Sequence, residues 1–124
     1  ASLLSSKNYT YLDLENKTLG QTNIDIALKR ALFDNDALIY ETKGKNVFSI
    51  RSEKTPHSVS VSFEDFPFTG IWSPPKKEAP FVCIEPWFGI ADSTDFTGEL
   101  NEKLGIQHLK GTESFSANYT ISLS

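Results

Sequence analysis

Hydrophobic and polar residues alternate along much of the chain, and this period of two predicts β-strands. The alternation is cleanest at residues 57–63, where serines separate Val59, Val61 and Phe63. Other alternating or apolar runs predict strands at residues 9–14, 24–28, 37–40, 47–51, 68–72, 80–85 and 115–123. Turn-forming residues separate these runs at intervals of roughly ten residues, which is typical of an antiparallel β-sandwich or barrel. The pattern therefore predicts an all-β fold.

Helical signals in the sequence are short. Residues 27–33 predict one or two helical turns, which end at a turn formed by Asp34, Asn35 and Asp36, and residues 100–104 are weakly helical. The sequence contains no internal repeat, low-complexity tract or composition shift that would mark a linker. A chain of 124 residues can bury one modest hydrophobic core, so a single domain is expected.

The most informative segment is an apolar strand that carries a carboxylate. Alternation predicts that one face of this strand holds Phe81, Cys83, Glu85 and Trp87. Since Pro86 has no backbone N–H, the regular strand is predicted to end just after Glu85. A carboxylate here is unfavourable unless it is paired, hydrogen-bonded or used in chemistry. Glu85 is therefore either a general acid or base or a structural residue that accepts backbone hydrogen bonds.

Four more residues are candidates for a binding site, and each has a structural alternative. Asp36 could accept hydrogen bonds from ligand hydroxyl groups, or it could form an Asx-type turn before the strand at residues 37–40. Trp72, Trp87 and Phe88 could form a stacking surface for a sugar ring, or they could pack in the core.

Composition and charge exclude several classes of function. The formal net charge is −4, and two arginines and ten lysines form no basic run, so no nucleic-acid partner is expected. The sequence shows no apolar window of transmembrane length and no signal peptide, so we expect no membrane partner and a cytoplasmic location. Cys83 is the single cysteine, and His57 and His108 lack companions at metal-ligand spacing. No metal site is therefore expected.

Taken together, four segments resemble the galactose mutarotase (aldose 1-epimerase) superfamily, specifically its bacterial branch associated with lactose and galactose utilisation. The segments are residues 32–39, 65–73, 80–92 and 103–106. The similarity runs over nearly the whole chain and is most specific in the Cys-Ile-Glu-Pro-Trp motif at residues 83–87. The resemblance implies a large antiparallel β-sandwich of the galactose mutarotase-like kind. Residues 1–124 would be the C-terminal part, about half, of one such domain.

The resemblance also implies an activity, the interconversion of the α and β anomers of a free aldose. Glu85 would be the general base, and Asp36 would bind sugar hydroxyl groups. The histidine that serves as the general acid in this family belongs to the N-terminal half and has no counterpart in this chain. No cofactor is implied, because both steps are proton transfers. The expected partners are a hexose and either the N-terminal half or a second copy, and the chain alone should be inactive or strongly impaired.

Two other functions stay open at the level of sequence. The chain could be a non-catalytic carbohydrate-binding β-sandwich that holds a sugar with Asp36, Trp72 and Trp87. It could also be a structural domain within a glycoside-processing enzyme, since a fold by itself does not determine a function.

Overall fold

The computed structural model describes the backbone of residues 2–7, 11–19 and 25–124 and the side chains of residues 25–124. This part of the chain forms eight β-strands and two 3₁₀ helices. The strands are β1 (Ser2–Lys7), β2 (Tyr11–Leu19), β3 (Leu38–Glu41), β4 (Lys45–Ser52), β5 (Thr55–Glu64), β6 (Phe68–Trp72), β7 (Cys83–Trp87) and β8 (Tyr119–Leu123). The 3₁₀ helices span Arg30–Phe33 and Leu100–Glu102.

The strands form two antiparallel sheets. Five strands lie in the order β2-β1-β3-β6-β7, and three lie in the order β4-β5-β8. Each strand pair is antiparallel. The prediction of an all-β antiparallel fold is therefore confirmed for the described residues.

The β4–β5 hairpin shows how alternation produces the packing. Phe48 lies opposite Val61 in the register, and Ser49 lies opposite Ser60. The serine hydroxyl groups hydrogen-bond to each other at 2.7 Å on the exposed face. Val61 and Phe63 are buried on the other face, where the ring of Phe63 stacks on Phe48 with centroids 5.9 Å apart. The strands predicted at residues 47–51 and 57–63 are thus confirmed, with slightly longer bounds.

An aromatic cluster joins the two sheets. Tyr40 of β3 meets Phe48 of β4 with ring centroids 6.1 Å apart. Phe66, in the turn between β5 and β6, packs edge-on against Phe63 at 5.5 Å and also contacts Phe88 at 4.5 Å. We call these five aromatic residues the inter-sheet cluster. Burial of each large apolar side chain contributes about 1.5–3 kcal/mol, so this cluster is a main source of the stability of the sandwich.

Two buried threonines connect β6 to the end of β3. Thr69 is 0% exposed, and its hydroxyl lies 3.2 Å from Oγ1 of Thr42. Oγ1 of Thr42 donates to the carbonyl oxygen of Phe66 at 2.7 Å, so the hydroxyl of Thr69 must be the donor to Thr42. Thr69 also lies opposite Pro86, so the network anchors the strand with which the candidate strand β7 pairs.

The structure corrects the prediction of a strand at residues 24–28. Residues 25–28 form no strand, and Ile26 and Leu28 are 44% and 48% exposed; Ile24 lies outside the described residues. The alternation there reflects an exposed segment that leads into the first 3₁₀ helix. That helix is shorter than the predicted turns at residues 27–33. In the strand predicted at residues 9–14, residues 9 and 10 lie outside the described part, and residues 11–14 fall within β2.

Several strand ends also differ from prediction. Strand β7 begins at Cys83 and not at residue 80, so Phe81 lies before the strand and is 51% exposed. The last strand begins at Tyr119 and not at Phe115, whose ring packs against Phe88 instead. Strand β7 does not end at Glu85, because its pairing with β6 continues through Pro86 and Trp87. Proline is tolerated on an edge strand, and β7 is at the edge of its sheet within the described residues.

Candidate functional site

Strands β6 and β7 together present the face that carries Glu85. Gly70 lies opposite Glu85 in the register, Trp72 lies opposite Cys83, and Phe68 lies opposite Trp87. Directly opposed residues project to the same side of a sheet. We therefore call this side, defined by these six residues, the Glu85 face. The predicted alternation along β7 is confirmed, since Ile84 packs on the opposite side against the core of β5.

Gly70 is the feature that lets Trp87 lie close to Glu85. A Cβ atom at position 70 would be 2.7 Å from both Cη2 and Cζ2 of Trp87, so the indole ring lies directly over this glycine. Trp87 also packs against the buried group formed by Ile39, Phe68 and Ile90. A glycine within a strand is a sequence signal for such a close approach. The indole ring of Trp87 therefore covers Gly70, the residue that pairs with Glu85.

Glu85 is half-buried and interacts with Cys83 on the same face. Burial raises the pKa of the Cys83 thiol, and the negative charge of Glu85 and a hydrogen bond to it raise that pKa further. The thiol is therefore protonated at neutral pH, which makes Cys83 a poor nucleophile. Among residues 25–124, no lysine or arginine forms an ion pair with Glu85. The carboxylate therefore has no cationic side-chain partner within residues 25–124.

Asp36 is brought to the Glu85 face by Trp72. The indole nitrogen Nε1 of Trp72 donates a hydrogen bond to Oδ1 of Asp36 at 2.8 Å. Asp36 also ends a turn, because its backbone N–H donates to the carbonyl of Phe33 at 2.9 Å and its φ angle is 73°. This hydrogen bond joins two backbone groups, so it is not the side-chain hydrogen bond of the predicted Asx-type turn. Ala37, the next residue, packs against the same buried group as Trp87. Asp36 therefore ends a turn through its backbone and also presents a carboxylate beside Trp72.

The structure separates Phe88 from the other candidates. Alternation directs Phe88 to the side opposite Trp87, and there it belongs to the inter-sheet cluster. Its ring lies 4.5 Å from that of Phe66 and 4.7 Å from that of Phe115. For Phe88 the structure favours core packing over a stacking surface for sugar.

The loop after β7 is held in place by two contacts that the sequence did not reveal. Lys103 Nζ lies 2.7 Å from Oδ1 of Asp92, an ion pair across ten residues of loop. Gly105 has a φ angle of +81°, and a Cβ atom there would be 2.4 Å from the carbonyl oxygen of Phe88. These contacts fold the segment around residues 103–106 against the end of β7 and so fix where the chain leaves Trp87.

Neither histidine belongs to the β6–β7 strand pair that defines this face. His57 is exposed on β5 of the three-stranded sheet, and His108 is exposed in the loop after the second 3₁₀ helix. The described residues contain no group of three or more side chains that could hold a metal ion. No helix in the described part of the chain is long and apolar enough to cross a membrane.

The chain is similar to a solved structure over almost its whole length. A crystal structure of a galactose mutarotase-related enzyme from Lactobacillus acidophilus superimposes with a TM-score of 0.93 and is 42% identical in sequence. The match covers 99% of this chain and 41% of that enzyme.

Two curated relatives from Lactococcus lactis subsp. lactis, the plasmid and chromosomal forms of protein LacX, are each 29% identical over 115 residues. The match covers 90% of this chain and 38% of each relative, so the chain spans well under half of their length. No protein-family model matches the chain. The structural match nevertheless confirms the resemblance found in the sequence: the chain has the antiparallel, galactose mutarotase-like fold.

Proposed function

We propose that this chain carries the general base of an aldose 1-epimerase-like isomerase, which interconverts the α and β anomers of a free aldose. The observation that carries the proposal is the half-buried carboxylate of Glu85 on a face bounded by Trp87, within a fold similar to a galactose mutarotase-related enzyme. The absence of a lysine or arginine partner among residues 25–124 supports a role in proton transfer over a role in an ion pair.

The proposed reaction consists of balanced proton transfers. Glu85 takes the proton from the anomeric hydroxyl group while a general acid protonates the ring oxygen, so that the bond between C1 and that oxygen breaks. Rotation about the C1–C2 bond then exposes the other face of the aldehyde. On ring closure Glu85 gives its proton to the aldehyde oxygen, and the conjugate base of the general acid takes its proton back from the hydroxyl group that closes the ring. Asp36 accepts a hydrogen bond from another sugar hydroxyl, and Trp87 forms an apolar wall.

Neither histidine of this chain belongs to the Glu85 face, and this supports a general acid that comes from elsewhere in the assembled protein. We propose that a complementary segment supplies it. This complementary segment is the N-terminal part of a longer polypeptide, and the greater length of the relatives supports that choice. The alternative is a second copy of this chain. We call this chain together with that segment the assembled enzyme.

An uncovered apolar surface supports the need for a complementary segment. In the β5–β8 register, Tyr119 lies opposite Phe63 and Ile121 lies opposite Val61, so their side chains share the face that is buried in β5. Yet Tyr119 is 59% exposed, Ile121 is 58% exposed and Leu123 is 78% exposed. Adjoining apolar residues that lie on an inward face and remain exposed are typical of a binding surface.

Polarimetry of the assembled enzyme with freshly dissolved α-D-glucose or α-D-galactose tests the proposal. Glu85→Gln retains the size of the side chain and removes the base, so the catalysed rate should fall by about 100- to 10,000-fold. Glu53→Gln is the matched control, because Glu53 is exposed in the turn between β4 and β5. The assignment fails if the wild-type protein gives no acceleration, or if Glu85→Gln is as active as Glu53→Gln.

The second candidate is a non-catalytic carbohydrate-binding protein. It is favoured by one observation, that the described residues place a carboxylate and two tryptophans on the Glu85 face but no histidine. Calorimetric titration with monosaccharides separates the two candidates. Sugar binding by an assembled protein that does not accelerate mutarotation would support the second.

A further inference from the structure

We infer that Trp72 is a positioning residue that orients the carboxylate of Asp36 toward the sugar, and not a platform on which the sugar stacks. The inference rests on the proposed function, because it assigns Asp36 the role of accepting a hydrogen bond from a sugar hydroxyl. The observation behind it is the hydrogen bond from Trp72 Nε1 to Asp36 Oδ1, which joins two residues 36 positions apart in sequence.

The indole ring of Trp72 is fixed by the sheet. Trp72 is the last residue of β6 and lies opposite Cys83 of β7. Its ring contacts Phe81 with centroids 6.1 Å apart. An indole has a single N–H group, which can only donate, and here that group is used for Asp36. The orientation of this donor is therefore set by the strand pair that also presents Glu85.

Asp36 is held at two points, one in the backbone and one in the side chain. Its left-handed backbone, with φ at 73°, is closed by the hydrogen bond from its N–H to the carbonyl of Phe33. Aspartate tolerates this conformation better than most residues. The side chain is then anchored through Oδ1 by Trp72. Both the position and the rotation of the carboxylate are thus determined before a ligand arrives.

One oxygen of the carboxylate is left for a ligand. Within residues 25–124, no side chain donates a hydrogen bond to Oδ2 of Asp36, while Oδ1 is occupied. A carboxylate that is fixed through one oxygen loses less conformational freedom when its other oxygen binds a hydroxyl group. The arrangement therefore favours a charge-assisted hydrogen bond from a sugar hydroxyl to Oδ2.

The first experiment is a kinetic double-mutant cycle in the assembled enzyme. Trp72→Phe retains an aromatic ring and removes the N–H donor, so KM should rise about tenfold with a smaller change in kcat, as expected for one hydrogen bond to a charged group. Asp36→Gly removes the carboxylate and adopts a positive φ angle without strain. If Trp72 acts through Asp36, adding Trp72→Phe to Asp36→Gly should change KM no further.

Phe81→Leu is the control for altered packing of the indole ring, because it changes the ring partner of Trp72 and leaves the N–H intact. It should leave KM within about twofold of wild type, which is the usual scale of a surface substitution. The inference is overturned if Trp72→Phe behaves like Phe81→Leu. It is also overturned if Trp72→Phe and Asp36→Gly raise KM by independent factors, as a stacking platform would require.

The second experiment does not depend on catalysis. Hydrogen exchange of the Trp72 indole proton, followed by NMR in the assembled enzyme, should be at least tenfold slower in wild type than in Asp36→Gly, because the hydrogen bond must open before exchange. Equal exchange rates would overturn the inference. If wild type shows no mutarotation, the proposed function fails by itself. The same four variants then decide the inference through their calorimetric affinity for the sugar, and a lack of any affinity also overturns it.

Discussion

Gly70→Ala is expected to destabilise the protein by pushing Trp87 off the Glu85 face. The added Cβ atom would lie 2.7 Å from Cη2 and Cζ2 of Trp87 and 3.2 Å from its Cε2. These contacts are too short, and the obstacle is a packed ring and not the free end of a flexible chain. Trp87 must therefore rotate or move away from Ile39, Phe68 and Ile90, against which it packs. The backbone of Gly70 cannot yield easily, because β6 is paired on both sides, with β3 and β7.

The expected change in the free energy of unfolding of Gly70→Ala is the difference between two opposing effects. Overpacking of a well-packed site costs about 1–3 kcal/mol. Replacing glycine by alanine also restricts the unfolded chain, which returns about 0.4–1 kcal/mol. We therefore expect a net loss of about 1–2 kcal/mol in the free energy of unfolding. Activity should fall as well, since the ring that bounds the Glu85 face is displaced.

Urea unfolding of the assembled enzyme measures the loss, and the ¹⁵N-indole signal of Trp87 reports the movement of the ring. Gly111→Ala is the matched control, because a Cβ atom there meets nothing within 4 Å. Trp87→Leu removes the ring, and in that background Gly70→Ala should no longer destabilise. An unchanged stability and an unchanged indole signal in Gly70→Ala would refute the packing argument.

Two further predictions concern other polar contacts around β6 and β7. Thr42→Val leaves a buried carbonyl without its donor and should cost about 1–3 kcal/mol in urea unfolding, whereas Thr69→Val removes only one donor to Thr42 and should cost less; equal losses would contradict this order. Because Glu85 raises the pKa of the Cys83 thiol, Glu85→Gln should lower that pKa and speed alkylation by iodoacetamide at pH 8. An unchanged rate across the pH profile would show that burial alone sets the reactivity.

Local sequence patterns were sufficient for most of the sheet structure, but not for its pairing. The alternation at residues 57–63 placed β5 correctly, because one side of that strand is buried near its end and the other is not. The run at residues 68–72 placed β6 correctly as well, although the first three residues of that strand are all buried. The same reasoning failed at residues 25–28, since an exposed segment can alternate by chance. It also ended β7 too early, because a proline at the edge of a sheet leaves the pairing intact.

For the candidate site, too, local sequence patterns identified single residues but not which residues meet in the fold. Glu85 could be singled out from the sequence, because a carboxylate within an apolar strand is rare. The pair of Trp72 and Asp36 could not, since nothing in a sequence states that residues 36 positions apart will meet. Phe88 could have been set apart from Trp87 by the strand period alone, which directs neighbouring residues to opposite sides.

The two proposed sources of the complementary segment lead to different predictions. A second copy of this chain could cover the exposed apolar side chains of β8, such as Ile121, and would thereby add stability. It would bring only His57 and His108 as histidines, and neither belongs to the Glu85 face of its own copy. The N-terminal part of a longer polypeptide could cover β8 in one sheet and also supply a proton donor to Glu85 in the other. Self-association therefore predicts a stable protein without mutarotation, whereas a longer polypeptide predicts a stable protein that accelerates mutarotation.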